Sequence, residues 1–125
     1  CQVGAAIPAL RRLPKGEIIA PIDMGPELLN GTGHSVVATG HHRGSQGMAA
    51  MIGIFIGSAR DAEAALRARG TSYVAVCPGL MEVRNYAETM PDGFMAALLA
   101  GNDPTWLEPV EIPGEDPVRV WRIKR

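Results

Sequence analysis

Three short runs of β-forming residues constrain the fold most. They are Glu17-Ile18-Ile19-Ala20-Pro21-Ile22, His34-Ser35-Val36-Val37-Ala38-Thr39 and Thr71-Ser72-Tyr73-Val74-Ala75-Val76-Cys77. The first is a short apolar run of the kind found in buried strands, the third is the best-marked strand, and each is followed by a stretch suited to a helix. Strands that alternate with helices specify a mainly parallel sheet with helices on both faces, a Rossmann-like three-layer α/β architecture. The tail changes character. Trp106 to Ile112 and Val118 to Ile123 flank Pro113-Gly114-Glu115-Asp116-Pro117, which predicts a C-terminal antiparallel hairpin. In its last strand Val118 and Val120 point one way, Trp121 and Ile123 the other.

The helices carry their own punctuation. Ala5 to Leu13 reads as a short helix begun or interrupted near Pro8, and Pro26 suits the first turn of another through Glu27-Leu28-Leu29, closed by the turn cluster Asn30-Gly31-Thr32-Gly33. Met48 to Ile56 reads as a mostly buried helix, although its isoleucines also suit a strand. Ser58 with Asp61 marks the start of a helix over Ala59 to Arg69, and Gly70 supplies its stop. Helical turns are expected at Glu82 to Glu88 and at Gly93 to Ala100, the latter capped by Asp92. At 125 residues the chain suits one α/β domain.

Composition narrows the partners. A net charge of −1 argues against nucleic acid. The basic run Arg119, Arg122, Lys124, Arg125 alternates with apolar residues and reads as a solvated strand end. The longest apolar stretch, Met48 to Ile56, is far shorter than the ~20 residues of a membrane span. The chain begins abruptly at Cys1 on residues already suited to a helix, which suggests a domain excised from a longer protein. Cys1 and Cys77 permit one disulfide, two reduced thiols in a reducing compartment, or a lipid-bearing Cys1.

Ligands of an open parallel sheet bind beyond the carboxyl ends of its strands. Those ends are Asp23, the loop Gly40-His41-His42-Arg43-Gly44-Ser45-Gln46-Gly47, and Cys77-Pro78-Gly79. Arg43 can hold a phosphate or carboxylate bidentately, Ser45 and Gln46 can donate hydrogen bonds, and the helix that follows offers unpaired backbone N–H groups. The loop has neither the glycine spacing nor the Lys-Ser/Thr ending of a Walker loop, and it is not a dinucleotide fingerprint. The candidate ligand-binding residues are therefore Asp23, His41, His42, Arg43, Ser45 and Gln46, with a plain structural loop as the alternative. A metal reading of His34, His41 and His42, with Asp23 or Cys77 completing the set, lacks supporting ligand spacing. His34 opens a strand and reads as a hydrogen-bonded rim residue. Cys77 with a rim histidine could be drawn as a nucleophile, but a strand-end cysteine beside Pro78 is more often packing or a disulfide partner. No catalytic residue, metal or cofactor is assigned.

Several strings carry a family resemblance. They are Ala20-Pro21-Ile22-Asp23-Met24-Gly25-Pro26, Thr32-Gly33-His34-Ser35-Val36-Val37-Ala38, His41-His42-Arg43, Ala65-Leu66 through Arg69-Gly70, and Tyr73-Val74-Ala75-Val76-Cys77-Pro78-Gly79. Together they resemble the C-terminal soluble region of bacterial polytopic membrane proteins similar to GT-C-type glycosyltransferases. The resemblance implies that a membrane-helix portion precedes this domain and that the domain lies on the extracytoplasmic, periplasmic side. It also implies a Cys1–Cys77 disulfide, and catalytic acids located in the membrane portion and not here. The expectation is a non-catalytic accessory domain contacting an anionic or lipid-linked sugar phosphate. The alternative is a separate soluble α/β enzyme or binding protein that uses the same strand-end rim.

Overall fold

A computed structural model of the chain describes residues 1–38, 45–115 and 117–125, Ser45 by its backbone alone. The elements run α1 (Val3–Arg11), β1 (Glu17–Ile19), a 3-10 turn (Ile22–Met24), α2 (Gly25–Thr32), β2 (Ser35–Val36), α3 (Ser45–Ile56) and α4 (Ala59–Arg69). They continue through β3 (Tyr73–Val76), α5 (Met81–Thr89), α6 (Phe94–Leu99), β4 (Leu107–Val110) and β5 (Arg119–Ile123). The five strands form one sheet in the order β2-β1-β3-β5-β4. β1 pairs in parallel with β2 and β3, whereas β3 with β5 and β5 with β4 pair antiparallel. The sheet is thus parallel where strands alternate with helices and antiparallel at the C-terminal hairpin.

Helices cover both faces. On one, α3, α4, α5 and α6 bury Met51, Phe55, Leu66, Val83, Phe94 and Leu98 against Val74, Val76, Trp121 and Ile123. On the other, α1 and α2 bury Ala6, Leu10 and Leu28 against Ile18, Tyr73, Ala75, Val118 and Val120. The opposed orientations of Val118 and Val120 versus Trp121 and Ile123 follow from the period-2 pleat. With few aromatics, one ring chain stiffens the larger face: Phe55 stacks on both Tyr86 and Phe94, and Phe94 on Trp106.

Most element boundaries follow local chemistry. Ser58 caps α4 by accepting from the Asp61 N–H at 3.0 Å, and Gly70 closes it in the left-handed region at φ 74°. Strands are shorter than their β-forming runs. β1 stops before Pro21, which has no N–H for a ladder, and Pro109 is tolerated because β4 is an edge strand. Several helix boundaries differ from expectation, and α3 begins at Ser45, three residues before Met48. Pro8 lies inside α1, and α2 extends through Asn30-Gly31-Thr32 to stop at Gly33, φ 77°. At Gly31 α2 comes close to α1, where a Cβ would meet the movable end of the Ile7 side chain. The cap of α6 is Gly93, with no side-chain bond from Asp92.

Gly47, in the first turn of α3, lies close against the backbone that follows β2. A Cβ at this position would collide with the Val37 carbonyl oxygen, a backbone atom held by the Val37 N–H to Ile18 carbonyl bond of 3.0 Å. Gly47→Ala is therefore expected to destabilise the domain by about 2 kcal/mol through forced displacement of α3. Chemical denaturation checks this, and an unchanged midpoint would contradict the close approach.

Candidate functional site

Because β1, β2 and β3 run the same way, their carboxyl ends share one edge of the sheet. That edge gathers Asp23 after β1, Val37-Ala38 after β2, the first turn of α3, and Cys77 after β3. The shared rim expected from the sequence thus exists for its described members. Asp23 is exposed in the 3-10 turn, Ser45 is the first residue of α3, and Gln46 is exposed in the turn it begins. His41, His42 and Arg43 lie outside the described residues. Ala38 and Ser45, on either side of them, both stand at this edge.

Glu82 in the first turn of α5 is a rim residue that the sequence reading passed over. Its carboxylate accepts the Ile22 N–H at 2.9 Å, the Asp23 N–H at 3.2 Å and the Tyr86 hydroxyl at 2.6 Å. The two amides open the 3-10 turn and are orphan donors of the kind that bind anions. Here the chain's own carboxylate fills that slot. An incoming anion at this slot would meet the charges of Asp23 and Glu82. The only sequence signal for Glu82 was an acid at a helix start, which is too common to single out.

Glu82 also perturbs its neighbour. The Tyr86 phenol is pushed well above its ordinary value, first by burial, then by its hydrogen bond to Glu82 and the nearby negative charge. Burial raises Tyr73 as well, partly offset by Arg122 and Arg125. These are the chain's two tyrosines. A raised folded-state pKa stabilises fully below the unfolded value near 10 and is lost as pH climbs toward the folded value. Stability should therefore fall as pH rises above about 10, with both phenols ionising later in the folded protein than in the unfolded chain. A phenol ionising near pH 10 in the folded protein, seen by ultraviolet titration, would contradict the burial.

Cys77 is bonded to Cys1, with Cα atoms 5.9 Å apart, across the face covered by α1 and α2. The bridge removes Cys77 from consideration as a nucleophile. His34 sits at the opposite, amino edge of the sheet, 2% exposed. Its Nδ1 accepts the Gly16 N–H at 3.2 Å, so Nε2 carries the proton and donates to the Leu10 carbonyl at 2.7 Å. Asp23 and Cys77 stand at the other edge, so neither can join His34 around one metal ion. Among the described residues no group of three or more His, Cys, Asp or Glu could hold one. No helix among them is long and apolar enough to cross a membrane.

No protein-family model and no curated protein sequence matches the chain. Its fold does match solved structures. One is the C-terminal globular domain of an oligosaccharyltransferase from Archaeoglobus fulgidus, with a TM-score of 0.71 and 13% identity over 95% of this chain and 94% of that one. At that identity the likeness is one of fold, and it runs through both domains almost end to end.

Proposed function

We propose that the chain is a non-catalytic, extracytoplasmic accessory domain of a membrane protein of the glycosyltransferase kind. The end-to-end fold likeness to the C-terminal globular domain of an oligosaccharyltransferase carries this reading. A likeness spanning 95% and 94% of the two chains concerns a whole domain, which sets it apart from a shared βαβ unit. The Cys1–Cys77 bridge supports an oxidising compartment. The described side chains support an accessory role: at the rim Cys77 is bonded to Cys1 and Glu82 is committed to three hydrogen bonds, and His34 lies at the far edge of the sheet.

In this proposal membrane helices of the same protein, absent from this chain, tether the domain on the periplasmic side. The ligand is an anionic, lipid-linked sugar phosphate. Arg43 meets its phosphate, with His41, His42, Ser45 and Gln46 around it, while Asp23 accepts hydrogen bonds from sugar hydroxyls. The charge of Asp23 and Glu82 makes Arg43 indispensable. Titrating the chain with a short polyprenyl phosphate should give saturable binding that Arg43→Ala abolishes. Equal binding by the variant, or none by either protein, would remove the phosphate contact. Glycosyl transfer by this chain alone would overturn the accessory role.

A further inference from the structure

The amino edge of the sheet holds a feature that the order of residues conceals. The basic tail residues Arg122, Lys124 and Arg125 read in sequence as an alternating, solvated strand end. In the fold, β5 runs antiparallel to β3, so its end lies beside the start of β3. The connection after α1 brings Lys15 to the same edge, and the last turn of α4 brings Arg67. These five cations, with a single carboxylate from Glu108, line one open groove of about 860 Å³.

The groove is organised. Arg67 is held by Glu63 at 3.0 Å and donates to the Lys124 carbonyl at 2.7 Å, which fixes both its guanidinium plane and the tail. Arg122 pairs with Glu108 at 2.7 Å and keeps further N–H groups to offer. Among the described residues, none of Lys15, Lys124 and Arg125 belongs to an ion pair. The buried Tyr73, whose hydroxyl donates to the Pro14 carbonyl, stiffens the lining and feels the fields of Arg122 and Arg125. A chain with a net charge of −1 has therefore collected a local excess of positive charge here, while among the described residues the opposite edge carries the carboxylates of Asp23 and Glu82.

Like charges gathered in a concave surface repel one another, and their field is focused on any anion that enters. Planar guanidiniums suit phosphate oxygens bidentately, and the ammonium groups add point charges. The volume exceeds what a single inorganic phosphate fills and falls within the range of small-molecule sites. We propose that this amino-edge groove is an anion-binding site for a ligand carrying two or more phosphate charges, separate from the carboxyl-edge loop and independent of the function proposed for that loop.

Calorimetric titration of the disulfide-bonded chain with pyrophosphate and with orthophosphate, at low salt, tests the site. Vesicles of phosphatidylcholine with and without phosphatidylglycerol form a second arm. Pyrophosphate should bind at least about tenfold more tightly than orthophosphate, and Lys15→Gln/Lys124→Gln/Arg125→Gln should weaken it by about tenfold or more. All three side chains are exposed, and an unchanged thermal melt would show that the fold is kept. Arg122→Gln alone should weaken binding in the same direction, and Arg43→Ala should leave it within about twofold. Binding to anionic vesicles but not to pyrophosphate, lost in the groove variants, supports the site and assigns the phosphates to lipid headgroups. Binding in neither arm, binding unchanged in the groove variants, or binding removed by Arg43→Ala alone would overturn it.

Discussion

Reducing the Cys1–Cys77 bridge is expected to lower the stability of the domain by about 4 kcal/mol. The two cysteines are 76 residues apart, so the bridge closes a loop containing α1, α2, α3, α4 and the three parallel strands. A crosslink of that length acts mainly by removing conformations from the unfolded chain. The folded form should change little, because Cys77 is 2% exposed and packs among Ala75, Val120 and the α1–α2 face. The loss should therefore appear as a lower urea midpoint with a steeper denaturant dependence, as the unfolded chain expands. Cys1→Ser, which leaves the buried position intact, should reproduce the effect of reductant. A difference below about 1 kcal/mol would mean that the bridge does not constrain the unfolded chain as its span requires.

His34→Ala is expected to cost about 3 kcal/mol, a large effect for a residue outside the apolar core. The imidazole is the polar pin between α1 and the start of β1, and it packs edge-on against Tyr73 with ring centroids 5.3 Å apart. Removing it leaves a cavity and an unpaired Gly16 N–H, while the Leu10 carbonyl keeps only its backbone bond from the Leu13 N–H. The emptied space borders Leu10, which is fully buried, whereas Gly16 is half-buried. Thermal or urea unfolding measures the loss, and a variant within about 0.5 kcal/mol of the parent would contradict the structural role. Zinc that raised the melting temperature of the parent but not of the variant would instead restore the metal reading.

What the sequence made legible was local or periodic. Ser58, Asp61 and Gly70 specified α4 to the residue because caps act within one turn. The alternation of Val118 to Ile123 specified which residues of β5 face each layer. The carboxyl-edge rim followed from strand direction alone. What escaped depended on partners far away in the chain. Asn30-Gly31-Thr32 looked like a turn, yet Gly31 is where α2 approaches Ile7 of α1, and the contact overrides local propensity. Glu82 meets Ile22 and Asp23 across about 60 residues, so no window of sequence contains that slot. Lys15, Arg67 and Arg125 likewise converge only once β5 lies antiparallel to β3. By residue type the disulfide was one alternative among three, the family resemblance favoured it, and the fold brings the end of β3 beside Cys1. The histidines divide in the same way: His34 proved structural through two tertiary bonds, while His41 and His42 keep only the role proposed for their loop.

The proposal of an extracytoplasmic accessory domain is tested most directly by differential thiol labelling of the parent protein in intact cells. A membrane-impermeant alkylating reagent is applied before and after an impermeant reductant, and the peptides containing Cys1 and Cys77 are read by mass spectrometry. The expected result is no labelling before reduction and labelling of both cysteines after it, with the membrane still intact. Labelling without reduction, or labelling that appears only after the cells are lysed, would place the domain in a reducing interior and contradict the account.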